Sequence, residues 1–90
     1  MISEKLILVN KLGLHARASA KLAQQASQFG SCVHIGLNED QMVDCKSIMA
    51  LMMLAAGVGT EIYLRCDGED EERAMDALRQ LIADRFGEDE

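Results

Sequence analysis

Gly13-Leu14-His15-Ala16-Arg17 places an imidazole and a guanidinium two residues apart, where a glycine turn gives way to a run of strong helix formers. The first turn of a helix leaves its N–H groups without intrahelical partners, and together with the helix dipole they make an anion site. A histidine at that point sets a nucleophilic ring nitrogen, the backbone donors of Ala16 and Arg17, and the Arg17 guanidinium around one spot. Such a site suits a phosphoryl group carried on the ring. A neutral ring nitrogen can attack phosphorus, and the negative charge of the product is met by N–H groups and a guanidinium. Phosphoryl transfer asks mostly for positioning and charge stabilisation. A single histidine before a helix is more often a cap or a surface residue, so residue types alone do not decide for chemistry. His34 has no comparable surroundings and reads as a strand residue on an exposed or partly exposed face.

A second stretch stands out. Ile48 to Ala56 is nine apolar residues in succession. A short helix that is apolar all round is either fully buried or offers one face to a partner. In so small a protein the second option is favoured, with Leu51, Leu54 and Ala55 in the core. Ile48, Met49 and Met52 then form a docking patch, where methionine adapts to differently shaped partners. Ser47 precedes this helix as its N-cap.

The rest of the chain must position these groups. Its 90 residues suffice for one domain spanning 1–90. Aromatics are only 3 % of the chain, so the core is expected to be aliphatic. A net charge of −6 argues against nucleic acid, which needs clustered Lys and Arg. No apolar run approaches the ~20 residues of a membrane span, and the first residues do not read as a signal peptide. A cytoplasmic location without membrane insertion is the expectation. Cys32, Cys45 and Cys66 form no C-x-x-C pair and no zinc cluster. They are expected to be reduced thiols, with no metal and no cofactor.

Leu6–Val9 reads as a strand, and Asn10–Gly13 breaks it, with Gly13 free to take a positive φ. Ala16–Gln28 reads as a helix with Ala18, Leu22, Ala23, Ala26 and Phe29 on one side, stopped by Gly30. Ser31–Leu37 alternates, with Val33, Ile35 and Leu37 inward. Asn38-Glu39-Asp40 is a hairpin turn, and Gln41–Lys46 returns with Val43 and Cys45 on one face. The second helix, Ile48 to about Ala56, ends near Gly57. Thr60–Cys66 is the last strand, with Ile62, Leu64 and Cys66 inward. Glu69–Arg85 is the longest helix, with Glu69–Glu72 in its first turn and a stripe of Ala74, Ala77, Leu78, Leu81 and Ile82. The tail, Gly87–Glu90, is expected to fray. The order βαββαβα with one apolar face per strand predicts an α+β fold, an antiparallel sheet covered on one side by helices.

Gly13-Leu14-His15-Ala16-Arg17, followed some thirty residues later by Lys46-Ser47-Ile48-Met49-Ala50-Leu51-Met52-Met53-Leu54, resembles the HPr family of histidine-containing phosphocarriers of the bacterial phosphotransferase system. The resemblance spans essentially the whole chain. It implies an open-faced β-sandwich, a four-stranded antiparallel sheet with three helices on one face. It implies a monomeric phosphocarrier rather than an enzyme. His15 would accept a phosphoryl group from an enzyme I-type donor, Arg17 would steady it, and an enzyme IIA-type acceptor would receive it. The apolar surface beside the histidine would dock both partners. In some members the serine corresponding to Ser47 is phosphorylated by a kinase. Many members have proline after the arginine, where this chain has Ala18. Asn10-Lys11-Leu12-Gly13, Met52-Met53-Leu54 and the acidic tail look closer to the nitrogen-related branch, NPr, than to the sugar-transport one. The element order also fits a split β-α-β regulatory domain that binds a small molecule. A soft-metal carrier would want paired cysteines on one loop, which are absent.

Overall fold

The structure, a computed structural model, describes residues 1–87. The strands are β1 (Ile2–Ile7), β2 (Cys32–Asn38), β3 (Gln41–Asp44) and β4 (Glu61–Asp67). The helices are α1 (Ala16–Ala26), α2 (Ile48–Leu54) and α3 (Glu71–Ala83), followed by a 3₁₀ turn at Arg85–Gly87. The four strands pair antiparallel in the order β1-β4-β2-β3. Val33, Ile35, Ile62, Leu64 and Cys66 are buried on the face that meets Ala18, Leu22 and Ala26 of α1, Leu51 of α2, and Ala74, Met75, Leu78 and Ile82 of α3. The opposite face is open, with Lys5, Tyr63, Gly36 and Met42 in one cross-strand row. This is the α+β open-faced sandwich that the pattern and the resemblance imply.

The element bounds differ from the sequence reading in instructive ways. The first strand begins at Ile2, ahead of the apolar run. Ile2, Glu4 and Leu6 are half-buried while Ser3, Lys5 and Ile7 are exposed, a half-solvated edge strand with period two. Its pairing continues past Ile7, because Leu8 N–H donates to Thr60 O (3.0 Å) and its carbonyl accepts from Gly59 N–H (2.7 Å). Leu37 is not inward but 45 % exposed. The β2–β4 pairing ends at Gly36, and the β2–β3 register shifts between Gly36 and Asn38. A β-carbon at Gly36 would lie 2.3 Å from the Gln41 carbonyl, so the bulge requires glycine there.

The third strand stops at Asp44, whose carboxylate accepts from Lys46 N–H (2.9 Å) and whose carbonyl accepts from Ser47 N–H (3.1 Å), turning the chain into α2. α1 ends at Ala26, four residues before Gly30, with Ser27 Oγ donating to Ala23 O (2.8 Å). Phe29 is only half-buried. α2 ends at Leu54 because Ala55 enters the left-handed region at φ 52°. Ala55 is therefore exposed and Leu54 half-buried, leaving Leu51 as the helix's one buried residue.

α3 begins at Glu71, so two acidic residues rather than four occupy its first turn. Asp70 instead turns its carboxylate to the α1–β2 loop, accepting from Gly30 N–H (2.9 Å), Ser31 N–H (3.0 Å) and the Ser31 hydroxyl. These bonds, the Ser31 hydroxyl foremost, lower its pKa below the ordinary aspartate value. α3 ends at Ala83, and left-handed φ values at Arg85 and Phe86 swing the Phe86 ring into the core. Residues 88–90 of the tail lie outside the described residues.

Candidate functional site

The loop after β1 carries His15 to the N-terminus of α1. Asn10 and Gly13 close a tight turn, with Gly13 N–H donating to Asn10 O (3.2 Å) and Asn10 Nδ2 donating to Gly13 O (2.8 Å). Gly13 takes φ 61°, as the sequence leads one to expect. A β-carbon there would also sit 2.2 Å from the Ala56 carbonyl, so only glycine lets this loop press against the α2–β4 segment. Leu14 N–H then donates to Ala56 O (2.9 Å), and the buried Leu14 side chain fixes the loop to the core.

His15 is the N-cap residue of α1, extended at φ −75° and ψ 179°, and its carbonyl accepts the first helical bond from Ser19 N–H (2.8 Å). Its side chain does not cap the helix and is half-buried. Ala16 and Arg17 are exposed in the first turn, and that turn holds no acidic residue. An N–H cluster without a competing carboxylate favours an anion beside the ring. His15, the Ala16 and Arg17 amides and the Arg17 side chain thus share one helix end, as their spacing implies.

Ser47 caps the opposite end of α2 from the segment that holds the His15 loop, its hydroxyl accepting from Ala50 N–H (3.2 Å). A seven-residue helix is about 10 Å long, so α2 bridges the two positions. Ile48, Met49 and Met52 are exposed on it. Met53, four residues beyond Met49 and therefore beside it on the helix surface, is 80 % exposed and belongs to the same patch. The i, i+4 spacing carried that signal. Leu12 on the His15 loop is exposed as well.

Of three buried polar residues that the sequence does not announce, two lie beside this site. Asn10 and Ser19 are wholly buried, and Ser19 Oγ donates to Leu14 O (3.1 Å). Ser19 stands at helical spacing from Leu22 and Ala26, which is the one trace it leaves in the sequence, whereas Asn10 in the turn leaves none. Among the described residues no cluster of His, Cys, Asp or Glu could hold a metal ion, and no helix is long and apolar enough to cross a membrane.

The family model for PTS-HPr, described as the PTS HPr component phosphorylation site, matches residues 2–84. The chain belongs to this family, the HPr phosphocarriers of the phosphotransferase system. It is 58 % identical over 90 residues to the phosphocarrier protein HPr of Cupriavidus necator, and 56 % identical over 90 residues to that of Neisseria meningitidis serogroup B. Both alignments cover each chain in full. The crystal structure of HPr-C-His from Thermoanaerobacter tengcongensis superposes with a TM-score of 0.93 at 39 % identity, again over the whole of both chains.

Proposed function

We propose that His15 is the phosphoryl acceptor of this phosphocarrier, taking the group from an enzyme I-type donor and passing it to an enzyme IIA-type acceptor. The observation that carries the reading is the placement of the ring at an α1 N-terminus free of acidic residues, with Arg17 exposed in the same turn. In the forward step a ring nitrogen lone pair forms the N–P bond as the bond from phosphorus to the donor breaks. The Ala16 and Arg17 amides and the Arg17 guanidinium receive the phosphoryl oxygens. Loading the acceptor reverses the roles, with the imidazole leaving. The chain ends the cycle unchanged and acts as a stoichiometric carrier rather than an enzyme.

Both partners would dock on the patch of Ile48, Met49, Met52 and Met53, which adjoins the loop that bears His15. Ser47 lies at the rim of that patch, where a kinase could add a regulatory phosphate. The nitrogen-related branch is our preferred assignment, supported by the Asn10–Gly13 and Met52–Leu54 segments. The sugar-transport branch is the second reading, favoured by curated relatives that carry the plain name HPr.

The test is incubation with phosphoenolpyruvate and a cognate enzyme I. The wild-type chain should gain one acid-labile phosphate, and His15→Ala should gain none while keeping the wild-type circular dichroism spectrum. A phosphorylated His15→Ala protein would end the acceptor reading. Transfer to a nitrogen-type rather than a sugar-type enzyme IIA separates the branches.

A further inference from the structure

Three polar residues are wholly buried among the described residues: Asn10, Ser19 and Ser31. Ser31 belongs to the Asp70 contact between the α1–β2 loop and α3. The other two spend their side chains on one short segment of backbone. Asn10 Nδ2 donates to Gly13 O (2.8 Å), and Ser19 Oγ donates to Leu14 O (3.1 Å). Ser19 N–H donates to the next carbonyl, that of His15 (2.8 Å). The carbonyls of three successive residues ending at His15 are thereby each held, and Leu14 N–H is held by Ala56 O.

Ser19 is the more telling of the pair. It stands in Ala16-Arg17-Ala18-Ser19-Ala20, where alanine would suit the helix better. A helical serine commonly bonds back to a carbonyl three or four residues earlier, within its own helix. Ser19 instead reaches five residues back, past the N-cap, to the residue before His15. Buried polar groups are costly unless bonded, so a hydroxyl and an amide kept in the interior at this place mark a backbone that must hold one shape.

We infer that Asn10 and Ser19 are positioning residues for phosphoryl transfer, holding the backbone of residues 13–15 so that the His15 ring and the first-turn amides of α1 keep a fixed relation. The inference rests on His15 being the acceptor. Neither residue touches the phosphoryl group. They act through the backbone, and transfer between two docked proteins requires the attacking nitrogen in line with the breaking bond. Ala18 adds no restraint of its own to the first turn, and the Ser19 hydroxyl supplies one.

The experiment compares Ser19→Ala and Asn10→Ala with Ser27→Ala. The last removes a hydroxyl-to-carbonyl bond of the same kind (2.8 Å to Ala23 O) at the other end of α1. Transfer from enzyme I and phosphoenolpyruvate is measured over a range of carrier concentrations, with thermal melting and ¹⁵N relaxation at Leu14 and His15 alongside. Ser19→Ala should lower kcat roughly tenfold with KM within about twofold of wild type, and should increase fast motion at Leu14 and His15. Ser27→Ala should transfer at the wild-type rate. A folded Ser19→Ala with wild-type kcat, a loss confined to KM, or an equal loss in Ser27→Ala overturns the inference. If Asn10→Ala fails to fold, the Ser19 and Ser27 pair decides. A wild-type chain that takes no phosphate removes the acceptor reading and this inference with it, whereas a phosphorylated wild type with unaffected variants removes the inference alone.

Discussion

Cys32 sits exposed on the open face of the sheet, while Cys45 and Cys66 are buried beneath it. Burial pushes the Cys45 thiol up to about 12, with Cys66 nearby adding to the effect. Burial likewise pushes the Cys66 thiol up to about 11, with Glu71, Asp70 and Glu4 adding negative potential. In the native protein at pH 7.5 a maleimide should therefore label one thiol, and in denaturant three, as mass spectrometry would count. The raised values also carry a stability consequence. Unfolded thiols ionise near pH 9 and the folded ones resist, so the contribution is complete below that pH and is lost as pH rises through 11 to 12. Urea midpoints should fall between pH 8 and 10.5, and by less in Cys45→Ala. The odd number and wide spacing of the cysteines lead one to expect thiols, and all three are unbridged in the structure. Which of them is exposed followed from strand register, since Cys32 and Cys66 lie on opposite faces.

At the scale of elements, α2 separates two functions that its sequence runs together. Leu51 anchors it, and Met49 and Met53 point away from the core at 73 % and 80 % exposure. Met49→Glu should leave the melting temperature near wild type while weakening binding to both the donor and the acceptor, because a charge in an apolar contact must be desolvated. Calorimetry with each partner checks it, and unchanged binding to both would move the docking surface elsewhere. Ser47→Asp keeps a capping oxygen and places a charge favourable to the helix dipole, so the fold should hold. Its transfer rate from enzyme I, at subsaturating carrier, should fall below that of Ser47→Ala. The patch was legible as nine apolar residues, and Met53 by its spacing from Met49, but the point where the helix ends was not. The left-handed turn at Ala55 shortens the helix, and no sequence signal for it exists because the residue is alanine rather than glycine. The start of the first strand is hidden for a different reason, since Ile2–Ile7 alternates in burial but is apolar only at Ile2, Leu6 and Ile7.

For the molecule as a whole, the order of elements could be read because strands with one apolar face leave few ways to bury it. The closing of the core could not. Phe86 is among the largest fully buried side chains, yet it follows the last helix and enters the core only through two successive left-handed residues. Its carbonyl accepts from Lys21 Nζ (2.7 Å), tying the segment after α3 to α1. Phe86→Ala should cost about 3–5 kcal/mol in urea denaturation without changing phosphoryl transfer in the fraction that stays folded. Glu4 and Arg79 pair across β1 and α3, an exposed contact from which little stability is expected.

The brevity of α2 has a further consequence. Seven residues with a single buried anchor fall well short of the length at which a helix persists by itself in water. This helix should open alone, many times for each unfolding of the whole chain, and its amides should exchange with deuterium long before those of β4, which is paired on both sides. A protein that binds only the closed helix would suppress that breathing. Slowed exchange at residues 48–54 would then record each partner's arrival, and each partner's affinity would fall only in proportion to the fraction of time the helix stands open.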